Sequence, residues 1–256
     1  STQIMSNIYC PAIHNDLMLD FIEYRKQDLV IYQPCCIMTN EDHSTKKIKI
    51  PIQDNFFKND LYLKSIREKN QKNEWLPECV QCREMEEDGI ESKRQQLIKT
   101  ENKRIHETGM GINLSDTTSV RNLTITLNGF CDLMCTTCSP GQSSTWLTQA
   151  RKSKVESYVR DGYIRRGANF GSFDNATIIE FFDNINLSDL QQITLTGGET
   201  VTFNYFEMIE YFMSKCDPTK LSIIFQTNGV NVISNKWLDK LSQLSMVAQL
   251  TGFFVY

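Results

Sequence analysis

The chain has 256 residues, 40% hydrophobic and 23% charged, with 27 Lys and Arg against 31 Asp and Glu for a net charge of −4. That is the composition of a globular protein with room for a real core, and the balanced charge excludes nucleic-acid binding driven by bulk positive potential. No apolar run approaches the ~18 residues of a membrane helix, and Ser1-Thr2-Gln3-Ile4-Met5 lacks the basic-then-apolar pattern of a secretory signal, so a cytoplasmic protein is expected.

Residues 1–107 carry few regular signals. Phe21–Tyr24 and Leu29–Tyr32 flank Arg25-Lys26-Gln27-Asp28 and predict a small hairpin. Asn59 or Asp60 is placed to cap a helix running through Arg67, and Glu84–His106 is dense in helix formers with a break at Gly89. The Gly- and Ser-bearing segment Thr108–Ser119 is the expected domain boundary. Beyond it, Leu123, Ile125 and Leu127 alternate with Thr124 and Thr126 as a strand, followed by strand candidates Gln192–Thr196, Leu221–Gln226 and Met246–Leu250. Helices are predicted between them: Trp146–Val159 capped by Ser143 or Ser144, Ala176–Asn184, one from Asn204 with Glu207 completing a capping box, and one presenting Trp237, Leu238, Leu241 and Leu244 on a single face. Strand–helix alternation of this kind reads as βαβ units around a parallel sheet.

Nine cysteines stand at 10, 35, 36, 79, 82, 131, 135, 138 and 216. An odd number without a secretory signal argues against a disulfide framework, and the clustering points to metal. Cys131, Cys135 and Cys138 are spaced C-x3-C-x2-C directly after a predicted strand. Three thiolates in one loop can hold three corners of a cubane iron–sulfur cluster and leave one iron open to a ligand. A structural zinc site or free core cysteines are the alternatives, though zinc ribbons want four closed ligands.

This loop resembles the signature of the radical S-adenosylmethionine (SAM) superfamily. Two further segments occur in the order that the resemblance requires. Thr196-Gly197-Gly198-Glu199-Thr200 is similar to the family's Gly-Gly-Glu-Pro motif, and Gln226-Thr227-Asn228-Gly229 ends the next strand as Thr-Asn-Gly does in many members. Gly197 and Gly198 would let the backbone approach a ligand closely, Glu199 would accept from the methionyl ammonium, and Thr227 and Asn228 would lie near bound SAM. Two departures from the family pattern stand out: Thr137 replaces an often aromatic residue, and about two further βα units are expected beyond Tyr256. The implied architecture is a C-terminally incomplete partial (β/α) barrel of about four βα units over residues 120–256, open at one edge unless the N-terminal part or a partner covers it.

The N-terminal cysteines, in Tyr9-Cys10-Pro11, Pro34-Cys35-Cys36 and Cys79-Val80-Gln81-Cys82, resemble an auxiliary-cluster module of the twitch or SPASM type, here preceding the barrel and not following it. That resemblance implies Cys10, Cys35, Cys79 and Cys82 as ligands of a second [4Fe–4S] cluster, with Cys36 the alternate for Cys35. A four-cysteine zinc site fits the same spacing.

The resemblance implies an oxidoreductase-type radical SAM enzyme. It would reductively cleave SAM at a [4Fe–4S] cluster on Cys131, Cys135 and Cys138, and the resulting 5′-deoxyadenosyl radical would abstract hydrogen from a peptide side chain or a small alcohol. A one-electron donor such as a flavodoxin or ferredoxin would be its partner. The alternatives are a non-enzymatic iron–sulfur electron carrier and a zinc-stabilised binding module. His14, His43 and His106 show no ligand spacing and are assigned to packing or surface. The basic run of Arg151, Lys152, Lys154, Arg160, Arg165 and Arg166 is read as a solvated helix face, and Phe203, Tyr205, Phe206, Tyr211 and Phe212 as core.

Overall fold

Alternating apolar and polar residues on successive segments build a sheet with two unlike faces. A computed structural model of the chain describes residues 8–24, 29–38, 46–109, 119–136, 138, 140, 143–153, 168–202, 205–230, 234–245 and 249–254. The strands are β1 Asp16–Asp20, β2 Ile22–Tyr24, β3 Leu29–Gln33, β4 Lys47–Lys49, β5 Asn122–Thr126, β6 Ala168–Ser172, β7 Gln192–Thr196, β8 Ser222–Thr227 and β9 Gln249–Phe254. The helices are α1 Pro11–Asn15, α2 Phe56–Asn59, α3 Leu61–Gln71, α4 Val80–Glu87, α5 Lys93–Thr108, α6 Ser144–Ser153, α7 Asn175–Asp183, α8 Phe206–Lys215 and α9 Asn235–Ser245. Among the described residues seven strands form one sheet in the order β4-β3-β1-β5-β7-β8-β9, while β2 pairs with β6. From β1 through β9 that sheet is parallel; β3 and β4 extend it antiparallel.

The fold is thus mixed α/β with a mostly parallel sheet, and the sheet crosses the expected boundary. β1, from the N-terminal region, pairs in parallel with β5 over five residues, Asp16 opposite Asn122 through Asp20 opposite Thr126. The N-terminal region therefore covers the β5 edge, while β9 pairs with β8. One face of the sheet is closed by Leu17, Leu19, Leu123, Ile125, Ile193, Leu195, Ile223 and Phe225, which join α7 and α8 residues such as Phe181, Phe182 and Phe212 in one core. Phe56, Phe57 and Leu63 belong to that same core, so residues on both sides of 108–119 share it.

Several predicted elements stand and several are corrected. Asp60 caps α3, its carboxylate accepting from Leu63 N at 2.9 Å. Gly89 separates α4 from α5 at φ 74°, a left-handed conformation that glycine adopts without a Cβ clash. Ser143 caps α6, accepting from Trp146 N at 3.3 Å; the expected continuation to Val159 lies outside the described residues. The predicted hairpin does not form: Ile22–Tyr24 pairs with β6, and β3 pairs with β1 and β4. Long-range pairing overrides the local turn signal there. No capping box opens α8, because the helix begins at Phe206 and Glu207 instead accepts from Asn175 Nδ2 at 2.9 Å; Asn204 lies outside the described residues. Leu238 is 49% exposed, so the apolar face of α9 is Trp237, Leu241 and Leu244. The last strand is described over Gln249–Phe254; Met246, its expected start, lies outside the described residues. Among the described residues no helix is long and apolar enough to cross a membrane.

Candidate functional site

The cysteine loop leaves β5 and is tied down from two sides. On one side stands the first turn of α6. Ser144 N donates to Gly129 O (2.8 Å), Ser144 Oγ and Thr145 Oγ1 donate to Cys131 O (3.0 and 2.7 Å), and Ser143 Oγ donates to Leu133 O (2.8 Å). Trp146 Nε1 donates to Cys135 O at 2.9 Å, and Cys138 N donates to Cys135 O at 3.0 Å. A loop whose carbonyls at Cys131, Leu133 and Cys135 are held by hydroxyls or an indole has its thiols positioned in advance of any ligand. Cys131, Cys135 and Cys138 are all partly exposed, with Phe130 and Met134 standing out beside them as exposed apolar side chains.

The second support is the end of β7. Gly198 N donates to Asn128 O (2.9 Å) and Glu199 N to Phe130 O (2.6 Å). The two glycines do permit a close approach, but the neighbour is the cysteine loop itself. A Cβ on Gly198 would sit 2.1 Å from Phe130 O, and one on Gly197 would sit 2.5 Å from Asn128 O. Gly197 also lies at φ 128°, which disfavours any side chain. In the structure this glycine pair seats the cysteine loop on the end of β7.

Glu199 is fully buried at 0% exposure. Its Oε1 accepts from Thr227 Oγ1 (2.6 Å) and Val201 N (3.1 Å), and its Oε2 from Asn228 N (2.8 Å). Asn228 in turn donates through Nδ2 to Asp132 Oδ1 (2.9 Å) and lies 3.7 Å from Cys131 Sγ. The three segments singled out in the sequence therefore meet at the carboxyl ends of β5, β7 and β8, where parallel sheets present their ligand sites. Glu199 accepts there from Thr227, Val201 and Asn228.

A second cysteine set stands about the N-terminal region. Cys10, Cys35, Cys79 and Cys82 line one pocket together with Ile13, Met38, Trp75, Leu76 and Arg94. Cys10 caps α1, Cys79 ends the turn Pro77–Cys79 and Cys82 sits on α4. Asn70 holds this assembly: its Oδ1 accepts from Cys10 N (3.1 Å) and its Nδ2 donates to Ile8 O (2.8 Å). Arg94 pairs with Glu86 on α4, donates to Tyr9 O (2.9 Å) and lies over Trp75, so it bridges the Cys10 and Cys82 segments. Burial pushes the Cys10 thiol up to about 11 and the Cys79 thiol up to about 12, the state expected of thiols waiting in an apolar pocket. Cys35 and Cys36 share a hydrogen bond that keeps the Cys35 thiol up and the Cys36 thiol down. Cys35 lines the four-thiol pocket and also a second cavity, whereas the exposed Cys36 lines only that second cavity. Among the described residues no three His, Cys, Asp or Glu side chains are gathered closely enough to hold a single metal ion.

That other cavity was not legible in the sequence. It has a volume of about 720 Å³ and lies over the polar face of the sheet. Its floor is built of cross-strand rows: Asp16, Asn122, Gln192 in one, Met18, Thr124, Thr194 in the next, then Thr196 and Gln226. The polar face of α5, with Lys93, Thr100, Glu101 and Arg104, forms a wall. Pro34, Cys35 and Cys36 border it from the auxiliary pocket, while Thr196 and Gln226 immediately precede the Gly-Gly-Glu and Thr-Asn-Gly segments. This face of the sheet is polar and open to the cavity. Asp16 accepts from Asn122 Nδ2 at 2.7 Å, and burial raises its carboxyl to about 6.

The remaining cysteine and the described histidines serve packing or surface. Cys216 ends α8 and donates to Phe212 O at 3.3 Å. Buried His14 stacks on Tyr9 with ring centres 5.6 Å apart and bonds Asn70, burial lowering its pKa to about 4. His106 is exposed on α5, as are Arg151 and Lys152 at the end of α6; His43, Lys154, Arg160, Arg165, Arg166 and Phe203 lie outside the described residues. Tyr205, Phe206 and Phe212 are buried as expected. Comparison of the chain with protein-family models, with curated proteins and with solved structures finds no match.

Proposed function

We propose that the protein is a radical SAM enzyme with an auxiliary iron–sulfur site. The observation that carries this reading is the meeting of three segments far apart in sequence around one three-thiol loop, with Asn228 reaching Cys131 and Glu199 reaching Asn228. Cys131, Cys135 and Cys138 would hold a [4Fe–4S] cluster with one iron left for SAM, and Cys10, Cys35, Cys79 and Cys82 would hold a second with all four irons ligated. When bound, these groups supply reductive cleavage of SAM to a 5′-deoxyadenosyl radical that abstracts hydrogen. Sequence spacing supports the uneven triple as an open site and the set of four as a closed one.

The chain's own contribution is position and environment. α6 and the end of β7 fix the thiol loop, and the apolar pocket around Cys10 and Cys79 excludes water from the second site. The polar cavity, bordered by Cys35 and Cys36 and by Thr196 and Gln226 at the strand ends that lead to the thiol loop, is the substrate chamber in this reading. Its amide, hydroxyl and carboxyl lining suits a ligand that hydrogen-bonds along its length, and a simple electron carrier has no use for such a chamber. Anaerobic reconstitution with iron and sulfide, followed by assay of SAM cleavage under reduction, tests the proposal. Methionine and 5′-deoxyadenosine are the expected products. Iron uptake without cleavage selects the electron carrier, and zinc retention without iron uptake selects the zinc-stabilised module.

A further inference from the structure

We infer that Glu199 and Asn228 form a latch that aims an amide N–H at the Cys131 sulfur and thereby favours the reduced state of the metal site there; this rests on Cys131 being a cluster ligand. The Asn228 amide is held at both ends. Its Oδ1 accepts from Val230 N at 3.0 Å, which directs Nδ2 toward Asp132 Oδ1 at 2.9 Å and Cys131 Sγ at 3.7 Å. Its backbone is held as well, since Asn228 N donates to the buried Glu199 carboxylate, which also accepts from Thr227 Oγ1. Thr227 Oγ1 accepts from Gly229 N at 3.1 Å, closing the turn. A carboxylate with no exposed surface and three protein donors is a cross-link between the ends of β7 and β8, and its product is the placement of one N–H beside one sulfur. Hydrogen bonds to ligand sulfurs stabilise the added negative charge of a reduced cluster, so the latch acts on the potential through Cys131. Glu199 is in this account a positioning residue.

The test uses Asn228→Leu, close in shape but without a donor, Glu199→Gln, and the double variant. In anaerobically reconstituted protein without SAM, Asn228→Leu should leave the iron content unchanged. It should lower the ratio of reduced to oxidised cluster about tenfold at a fixed poise, a shift of about 59 mV for one electron, read by EPR in a redox titration. Glu199→Gln should move the ratio in the same direction by less, and the double variant should go no further than Asn228→Leu alone. An unchanged ratio in Asn228→Leu, or an additive double variant, overturns the latch. If Glu199→Gln weakens SAM binding and leaves the SAM-free ratio alone, Glu199 is a ligand contact and the inference is wrong. A second arm needs no metal: in the metal-free chain, alkylation of Cys131 relative to Cys135 should be several-fold slower in both single variants, because loss of the N–H removes stabilisation from the reacting thiolate. No change there also overturns the latch. Slower alkylation in a protein that takes up no iron leaves the latch standing and overturns the cluster reading instead.

Discussion

Replacing Gly198 by Ala measures how firmly the cysteine loop is seated on the end of β7. The new Cβ would lie 2.1 Å from Phe130 O, 2.5 Å from Phe130 C and 2.7 Å from Gly129 C, all backbone atoms that no side-chain rotation relieves. Reaching ordinary contact requires strand end and loop to part by about 1 Å or more. That stretch breaks the bonds from Gly198 N to Asn128 O and from Glu199 N to Phe130 O, 2.9 and 2.6 Å in the native arrangement. Two hydrogen bonds at about 1 kcal/mol each, with an overpacking cost of about 1–3 kcal/mol, are offset by about 0.4–1 kcal/mol of reduced unfolded-state entropy. The net is about 3 kcal/mol, or a fall in Tm of about 6–12 °C for a chain of this size. The control is Gly89→Ala, where a Cβ meets nothing within 4 Å but the φ of 74° is strained; it should cost about 1–2 kcal/mol. Calorimetry on metal-free protein reads both. If Gly198→Ala unfolds no earlier than Gly89→Ala, the loop is not seated as described.

Three further outcomes follow from the same geometry. Reconstituted protein should hold about eight irons, one cubane on each thiol set, and the combined replacement of Cys131, Cys135 and Cys138 by Ala should remove about half of them; loss of all or none contradicts two sites. Cys35→Ser should remove the auxiliary iron while Cys36→Ser retains it, because only Cys35 faces the four-thiol pocket; the reverse result would exchange their roles. Stability between pH 4 and 6 should respond to two opposed groups. Burial raises Asp16 from 3.8 to about 6, so the folded state holds more protons than the unfolded one and stability falls as pH rises through that window. Burial lowers His14 from 6.5 to about 4, so stability rises over nearly the same window. Each is worth about 3 kcal/mol at most, and the two nearly cancel. Asp16→Asn should unmask the rise, visible in denaturant unfolding at pH 4.5 and 6.5; an equal rise already present in the wild type would show that Asp16 titrates normally.

The parallel strands after residue 120 were legible because Leu123/Ile125 and Ile193/Leu195 alternate with polar residues, and that period survives burial on one face. Alternation says nothing about what the polar face meets, so it could not show that Asn122, Gln192 and Thr194 floor a cavity. β1 was missed although Asp16-Leu17-Met18-Leu19-Asp20 carries the same period, its five residues following directly on a five-residue helix. The false hairpin came from a local signal that non-local pairing with β6 overrode. The glycines of the Gly-Gly-Glu segment correctly announced a close approach, but two missing side chains leave the neighbour unidentified. Cys35 and Cys36 are adjacent in sequence and are distinguished only by the turn after β3, which brings Cys35 alone to the four-thiol pocket while both border the larger cavity.

The central claim is that the loop of Cys131, Cys135 and Cys138 holds a cluster with one iron open to SAM. The most direct measurement is the EPR spectrum of the reduced, reconstituted protein with and without saturating SAM. The signal lost on replacing those three cysteines by Ala should be the one that SAM alters, while the signal that depends on Cys10, Cys35, Cys79 and Cys82 stays unchanged. A spectrum that SAM leaves untouched would mean that the site is closed, and the reading of the chain as a radical SAM enzyme would be contradicted.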